Sequence, residues 1–443
     1  MKKSFFAPAF FLLLISLLTV GALSCGGDDD DNDDHAEVDD DNSGNDDSDA
    51  ADDDAADDDA ADDDASPTPD DDADDDASPP PEYDPAQPGP YQVGNRTYVF
   101  VDESRYDPAT DGPRTLVTEV WYPAVDEAAD MDRDQLINFL APWEEFVMDQ
   151  LAAEGVPPDE LDNFYQETGS AREAPIYSGA APFPFLLYSH GNAGARFQNF
   201  TTCEYLASHG FVIIAPDHTG NALVAPLPEE PIVFDENLVF ISYWERKADL
   251  SFLITKFTEL AADDPDDFFT GRLDPSQVGA FGHSFGGTAV VETTRQDHRI
   301  KATLVMASFM FPWRPEDFDA SLMWFIGQED NTMGDANFLF RYDYRIARPP
   351  KFKLECRDCG HYSFTDACLI VPSLMGDGDG CGQGERRWTG EIFDFLEHDA
   401  AWAVMNPLIT AFYGFNLRGE EHMAAYLMAD HTTEMFDWIW RME

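Results

Sequence analysis

Gly282-His283-Ser284-Phe285-Gly286 sets a serine between two glycines, after an apolar run that ends near Phe281 and before the helix-forming run Gly287 to Thr294. A serine hydroxyl is a weak nucleophile until a base takes its proton. It must also be lifted clear of its neighbours. A strand, a sharp strained turn and a helix achieve this, and small residues must flank the serine because the helix passes close beside the strand. Ser284 is therefore the expected nucleophile of an acyl-transfer reaction. A second glycine-rich run, Ser189-His190-Gly191-Asn192-Ala193-Gly194, follows an earlier apolar strand. The backbone N–H groups of Asn192 and Phe285 would then face a developing oxyanion, and one such donor is worth about 10²–10³ in rate.

The order expected after such a turn is serine, then acid, then histidine. His361, in Cys359-Gly360-His361-Tyr362-Ser363-Phe364, directly follows a late strand and is the expected general base. His298 comes too early, and His398, His422 and His431 fall in a C-terminal part that reads as helical. Asp330 follows the strand Ser321 to Ile326 and Gly327, and is the expected acid, with Glu329 a near alternative and Asp317 or Asp319 more distant ones. The acid holds the imidazole in the right tautomer and stabilises its protonated form.

These residues need a scaffold. Strands are expected at Leu116 to Tyr122, Phe185 to Ser189, Phe211 to Pro216, Val278 to His283, Ala302 to Met306, Leu322 to Ile326 and Phe352 to Cys356. Helices are expected at Asn199 to Ser208, Trp244 to Ala261, Ser284 to Thr293, Asp335 to Ile346, Arg387 to Glu397, Ala401 to Phe415 and His431 to Met442. Near-continuous apolar strands alternating with helices predict a mostly parallel sheet covered on both faces, and the serine turn between strand and helix makes the expected fold an α/β-hydrolase. Residues 125–180 and 221–243 break the alternation and read as insertions over the strand ends, where such folds place their sites.

The run from Gly282 to Gly287, with Met310-Phe311-Pro312, Leu206 to Phe211 and Ser189-His190-Gly191, resembles plasma-type platelet-activating-factor acetylhydrolases. With Trp121-Tyr122-Pro123 it also resembles the wider dienelactone-hydrolase-like esterases. The resemblance covers roughly residues 95–365 outside the insertions. It implies a metal-free serine esterase with Ser284 as nucleophile, His361 as base and the Phe285 and Asn192 amides as oxyanion donors. The family's acid lies three residues before Met-Phe-Pro, where this chain has Ala307. The acid must therefore come from elsewhere, which favours Asp330, and the link to a phospholipid substrate is weaker than that to ester cleavage.

Met1-Lys2-Lys3, the apolar run Phe5 to Val20 and Gly21 to Cys25 read as a signal peptide over residues 1–24. Ala22-Leu23-Ser24-Cys25 resembles a bacterial lipobox, with Cys25 the residue to be acylated. An exported protein lipid-anchored to a bacterial membrane, on its periplasmic or cell-surface face, is expected. Residues 25–88 read as a disordered tether: Gly26 to Asp84 holds 28 Asp and 2 Glu and no Lys or Arg, which is too charged to fold and extends by self-repulsion. Its aspartates lack the spacing of a Ca²⁺ loop. Residues 89–443 remain acidic, with 58 carboxylates against 24 bases, which argues against nucleic acid.

Cys203 lies in an apolar helix and reads as a buried thiol, whereas Cys356, Cys359, Cys368 and Cys381 surround His361. Export favours disulfides over a zinc site, for which only one close pair is available. The preferred pairing is Cys356–Cys359 with Cys368–Cys381, bracing the His361 loop. The expected whole is a monomeric serine hydrolase that cleaves small-molecule or lipid carboxylic esters through an acyl-enzyme, with no metal or cofactor. An amidase or peptidase on the same triad, or a tethered binding protein on a hydrolase scaffold, are the alternatives.

Overall fold

Short runs rich in valine, isoleucine, leucine and aromatic residues build a ten-stranded sheet in this computed structural model, which describes residues 83–179, 182–309, 318–375 and 379–443. The signal peptide, Cys25, nearly all of the tether, Met310-Phe311-Pro312 and Asp317 lie outside the described residues. In chain order the sheet strands are β1 (Gln92–Asp107), β2 (Gly112–Ala124), β3 (Ala171–Arg172), β4 (Phe183–Ser189), β5 (Val212–Pro216), β6 (Leu273–His283), β7 (Ile300–Met306), β8 (Ser321–Gly327), β9 (Lys351–Cys356) and β10 (Phe436–Arg441). Across the sheet they run β10-β9-β8-β7-β6-β4-β5-β2-β1-β3. The six strands from β9 to β5 are mutually parallel, while β2 and β10 join antiparallel at either side.

The main helices are α1 (Glu144–Glu154), α2 (Phe200–Ser208), α3 (Val239–Ala262), α4 (Phe285–Gln296), α5 (Phe338–Ile346) and α6 (His398–Arg418). Strand period explains how they cover the sheet. All of β4 is buried. Phe185 and Leu187 pack with Leu253, Ile254 and Phe257 of α3, whereas Leu186 and Tyr188 pack with Leu206 of α2 and Phe412 of α6. The fold is thus the expected α/β-hydrolase arrangement, with helices on both faces.

Two expected helices are corrected. Arg387 to Glu397 instead forms the turn and second strand of a small hairpin, Gln383–Glu385 against Ile392–Asp394, because Gly390 at φ 70° turns the chain out of helical space. His431 to Met442 contains edge strand β10. Phe436 and Trp438 alternate inward from it, a period of two that outweighs helical propensity. The long strand β1 was not expected. It exposes Val99 and Val101 on a sheet edge and carries a register shift between Asp102 and Tyr106, so its apolar signal is diluted. Residues 83–88, assigned to the tether on composition, sit on the domain: Tyr83 packs against His209, and Tyr205 Oη donates to the Pro85 carbonyl.

Candidate active site

Four loops at the carboxyl ends of parallel strands bring the sequence candidates to one edge of the sheet, where such folds bind ligands. Ser284, between β6 and α4, holds φ 53° and ψ −121°. A non-glycine residue in so sparsely populated a region stores about 1–3 kcal/mol of strain. The surroundings enforce it: the Ser284 N–H donates to the Met306 carbonyl at 2.9 Å, and the Ser284 carbonyl accepts from Thr288 N–H at 3.2 Å. The glycines are sterically required. A Cβ on Gly286 would lie 1.9 Å from the Ser189 carbonyl oxygen, and one on Gly282 would lie 2.4 Å from that of Gly286.

Asp330 follows β8 and His361 follows β9, and the two side chains meet: His361 Nδ1 lies 2.9 Å from Asp330 Oδ2. The other carboxylate oxygen accepts from Met333 N–H at 2.8 Å, and the Asp330 side chain is fully buried. Burial alone would depress the imidazole. The Asp330 carboxylate, with Asp379 behind it, overcomes that and holds His361 above its ordinary value. Glu329 points elsewhere, to Arg386 Nη1 at 3.2 Å and the Arg387 N–H at 3.0 Å. Asp319, the distant candidate among the described residues, does not bond to His361, whose Nδ1 is taken by Asp330.

The donor loop after β4 is fixed from behind by a buried cation. Arg246 on α3 donates to the carbonyls of His190 and Gly191, the latter at 3.0 Å, and to Asn221 Oδ1. Across a trans peptide the carbonyl and the next N–H point opposite ways. Pinning the Gly191 carbonyl on Arg246 therefore turns the Asn192 N–H away from the guanidinium. Asn221 completes the frame, with Nδ2 donating to Asn192 Oδ1 at 2.9 Å and its carbonyl accepting from Ala193 N–H at 3.1 Å. Among the described residues, neither the Asn192 nor the Phe285 N–H donates to another group. Burial lowers Arg246 to about 9, which leaves it charged at neutral pH, and its guanidinium lies 4.8 Å from the Phe285 ring centroid.

A second Ser-His-Asp chain lies beneath this loop. Ser189 Oγ is 2.9 Å from His218 Nε2, and His218 Nδ1 is 2.8 Å from Asp249 Oδ2. All three residues are 0% exposed, and Asp249 is also paired with Arg114 and Arg105. Enclosed in this way, the chain braces the loop after β4 from within the fold. Burial drives His218 down to about 3, so it works as a neutral hydrogen-bonding residue.

A further relay ties the loops together. Gly191 N–H donates to Gln198 Oε1 at 2.8 Å, Gln198 Nε2 lies 3.5 Å from His283 Nδ1, and His283 Nε2 lies 2.9 Å from the His361 carbonyl. Gln198, Asn221, Arg246 and His283 were not singled out in the sequence. Of these only His283 carried a signal, by standing inside the glycine–serine–glycine run. The insertion at 125–180 reaches three distant segments: the Phe139 carbonyl accepts from Arg196 Nη2, Trp143 Nε1 donates to the Leu227 carbonyl, and Asn163 Nδ2 donates to the Ile370 carbonyl.

Cys356 is joined to Cys359 and Cys368 to Cys381, while Cys203 is free and buried. Among the described residues, no group of three or more His, Cys, Asp or Glu side chains is arranged to hold a metal ion.

A sequence model of the family described as platelet-activating factor acetylhydrolase, isoform II, matches residues 83–256 and 265–377. The platelet-activating factor acetylhydrolase of Cavia porcellus is 27% identical over 232 residues, 46% of this chain and 52% of that protein. That of Gallus gallus is 22% identical over 248 residues, 47% of this chain and 58% of that protein. The matched region thus spans little more than half the length of these relatives. A ferulic acid esterase from Streptomyces cinnamoneus shares the fold, with a TM-score of 0.58 at 22% identity, covering 74% of this chain and 91% of that one. Elbow, strand order and family match agree: the chain belongs to the platelet-activating factor acetylhydrolase isoform II family and carries its α/β-hydrolase fold.

Proposed function

We propose that the protein hydrolyses carboxylic esters through an acyl-enzyme. Ser284 Oγ attacks the ester carbonyl as His361 takes its proton, and Asp330 at Nδ1 stabilises the imidazolium. The Asn192 and Phe285 amides receive the oxyanion, and the imidazolium returns its proton to the departing alkoxide. Water, deprotonated by His361, then releases the acid. The observation that carries this reading is the 2.9 Å His361–Asp330 contact on loops at the same sheet edge as the strained Ser284 turn. Phe240, Ile241 and Trp244 stand exposed at the start of α3, and Tyr243 beside them lies 6.5 Å, ring to ring, from Phe285. That surface favours esters with an apolar acyl or alkyl part.

Hydrolysis of p-nitrophenyl esters of graded chain length, beside Ser284→Ala, tests the proposal. Turnover and fluorophosphonate labelling lost in the variant are expected, with a chain-length optimum that sizes the acyl pocket. A folded wild type that neither turns over nor labels would point to a binding protein. We also infer that Cys25 is acylated after export, with residues 26–82 as the spacer; two chains anchor stably where one does not. Cys25→Ala should abolish metabolic incorporation of labelled palmitate, and retained label would rule the anchor out.

A further inference from the structure

We infer that Asp379 is a positioning residue for this site, a clamp that holds the loop carrying Asp330 against the loop carrying His361. Its Oδ1 accepts from Asn331 N–H at 3.0 Å and from His361 N–H at 2.9 Å. Its Oδ2 accepts from Thr332 N–H at 2.6 Å and from the Thr332 hydroxyl. Its carbonyl accepts from Tyr362 N–H at 2.8 Å. One residue therefore satisfies donors immediately after Asp330 and at His361 and its neighbour.

Asp379 is 8% exposed, and among the described residues no lysine or arginine pairs with its carboxylate. A buried charge without a counter-ion is costly unless N–H and O–H donors surround it. Here four do, and all four belong to the two loops being held. The clamp is itself held in place. Cys381, two residues on, is joined to Cys368 on the segment following His361. Gly380 at φ 127° brings the chain so close that a Cβ there would lie 2.5 Å from Ser363 N, and a Cβ on Gly360 would lie 2.6 Å from the Asp379 carbonyl carbon.

The disulfide thus acts on the base through Asp379. The charge also reaches the imidazole. The ionisable groups around His361 are Asp330 at Nδ1, His283 with its ring 4.7 Å away, Tyr362 and Asp379. Arg387 donates to the Asp330 carbonyl from the far side. Of these, Asp330 and then Asp379 favour the protonated imidazole.

Asp379→Asn and Asp379→Ala in the full-length protein test the clamp. Asparagine leaves one acceptor oxygen for four donors and removes the charge. Amide exchange at residues 331–332 and 361–362 should quicken in Asp379→Asn, and further in Asp379→Ala. The His361 titration, read by NMR on labelled histidine and assigned with His361→Gln, should move to lower pH. On the esterase reading, kcat should fall about 10–100-fold with KM within about twofold, the scale of a small misplacement of reacting groups. The acid limb of kcat/KM should move down in pH with the titration.

A folded Asp379→Asn with wild-type exchange, titration and kcat would overturn the proposal, and it decides the matter even if Asp379→Ala does not fold. The kinetic arm rests on the proposed activity. If wild type turns over no ester, that reading fails alone, and exchange and titration still decide the clamp.

Discussion

Asp330 and Glu329 are adjacent, and both follow Gly327 and Gln328 closely enough for either to have served as the acid. The turn separates them, sending one carboxylate to His361 and the other to Arg386 and Arg387. Asp330→Asn should therefore lower kcat by about 10³–10⁴, because the amide favours the wrong tautomer and cannot stabilise the imidazolium. Glu329→Gln, which keeps an acceptor for the same donors, should change kcat by less than about threefold, since a partly exposed ion pair is worth little. The pH profile has a sign as well. His361 acts as base only when neutral, and its value is held above the ordinary one. The acid limb of kcat/KM should thus lie above about 6.5, and should move down in Asp330→Asn when residual turnover is followed across pH. An unchanged limb would remove Asp330 from the role. The meeting of Asp330 with His361 beside the Ser284 turn was legible, because chain order and strand ends point to these positions. The contacts of Asp379 with His361, Gln198 with His283 and Arg246 with His190 were not, because they span 18, 85 and 56 residues, and no local pattern encodes such a meeting.

At the scale of elements, the parallel strands were readable because burial on both faces forces continuous apolar runs, as in Phe183–Ser189 and Ser321–Gly327. The periphery was not. Phe436–Arg441 pairs with only one neighbour and mixes two tryptophans with Asp437 and Arg441, a composition that a helix could also use. The hairpin around Gly390 turns on one left-handed glycine, which reads as a loop only once its φ is known. The insertions were visible as breaks in the alternation, but not their work. The hydrogen bonds of Phe139, Trp143 and Asn163 to the donor loop, the second insertion and the segment after His361 join parts far apart in sequence. The same holds for Arg246, whose helix was expected between the strands while the turn of the loop after β4 onto that arginine depends on tertiary packing alone.

The whole molecule folds around ionisable groups that it withholds from water, so its stability must depend on pH. Burial lowers His190, His218, His283 and His209, while carboxylates raise His361 and His398 against the effect of burial. A histidine depressed in the fold takes up a proton only on unfolding, so acidification through about 6.5 favours the unfolded chain. For His218, at about 3 in the fold, the loss between pH 7 and pH 5 is about 2 kcal/mol. The raised histidines act oppositely, since protons bound more tightly by the fold add stability as pH falls. Glu204, pushed up to about 7 by burial, opposes the loss as well, because below pH 7 it binds a proton in the fold that the unfolded chain still lacks. Asp217 and Asp330, raised by burial, oppose it too, but the three fully buried, depressed histidines set the direction, a net loss on acidification. Urea unfolding with the disulfides intact should accordingly give a lower free energy at pH 5 than at pH 7. His218→Gln should flatten that difference by about 2 kcal/mol whatever it does to stability at pH 7, since glutamine hydrogen-bonds without titrating. If variant and wild type lose the same amount between the two pH values, His218 is not held neutral in the fold.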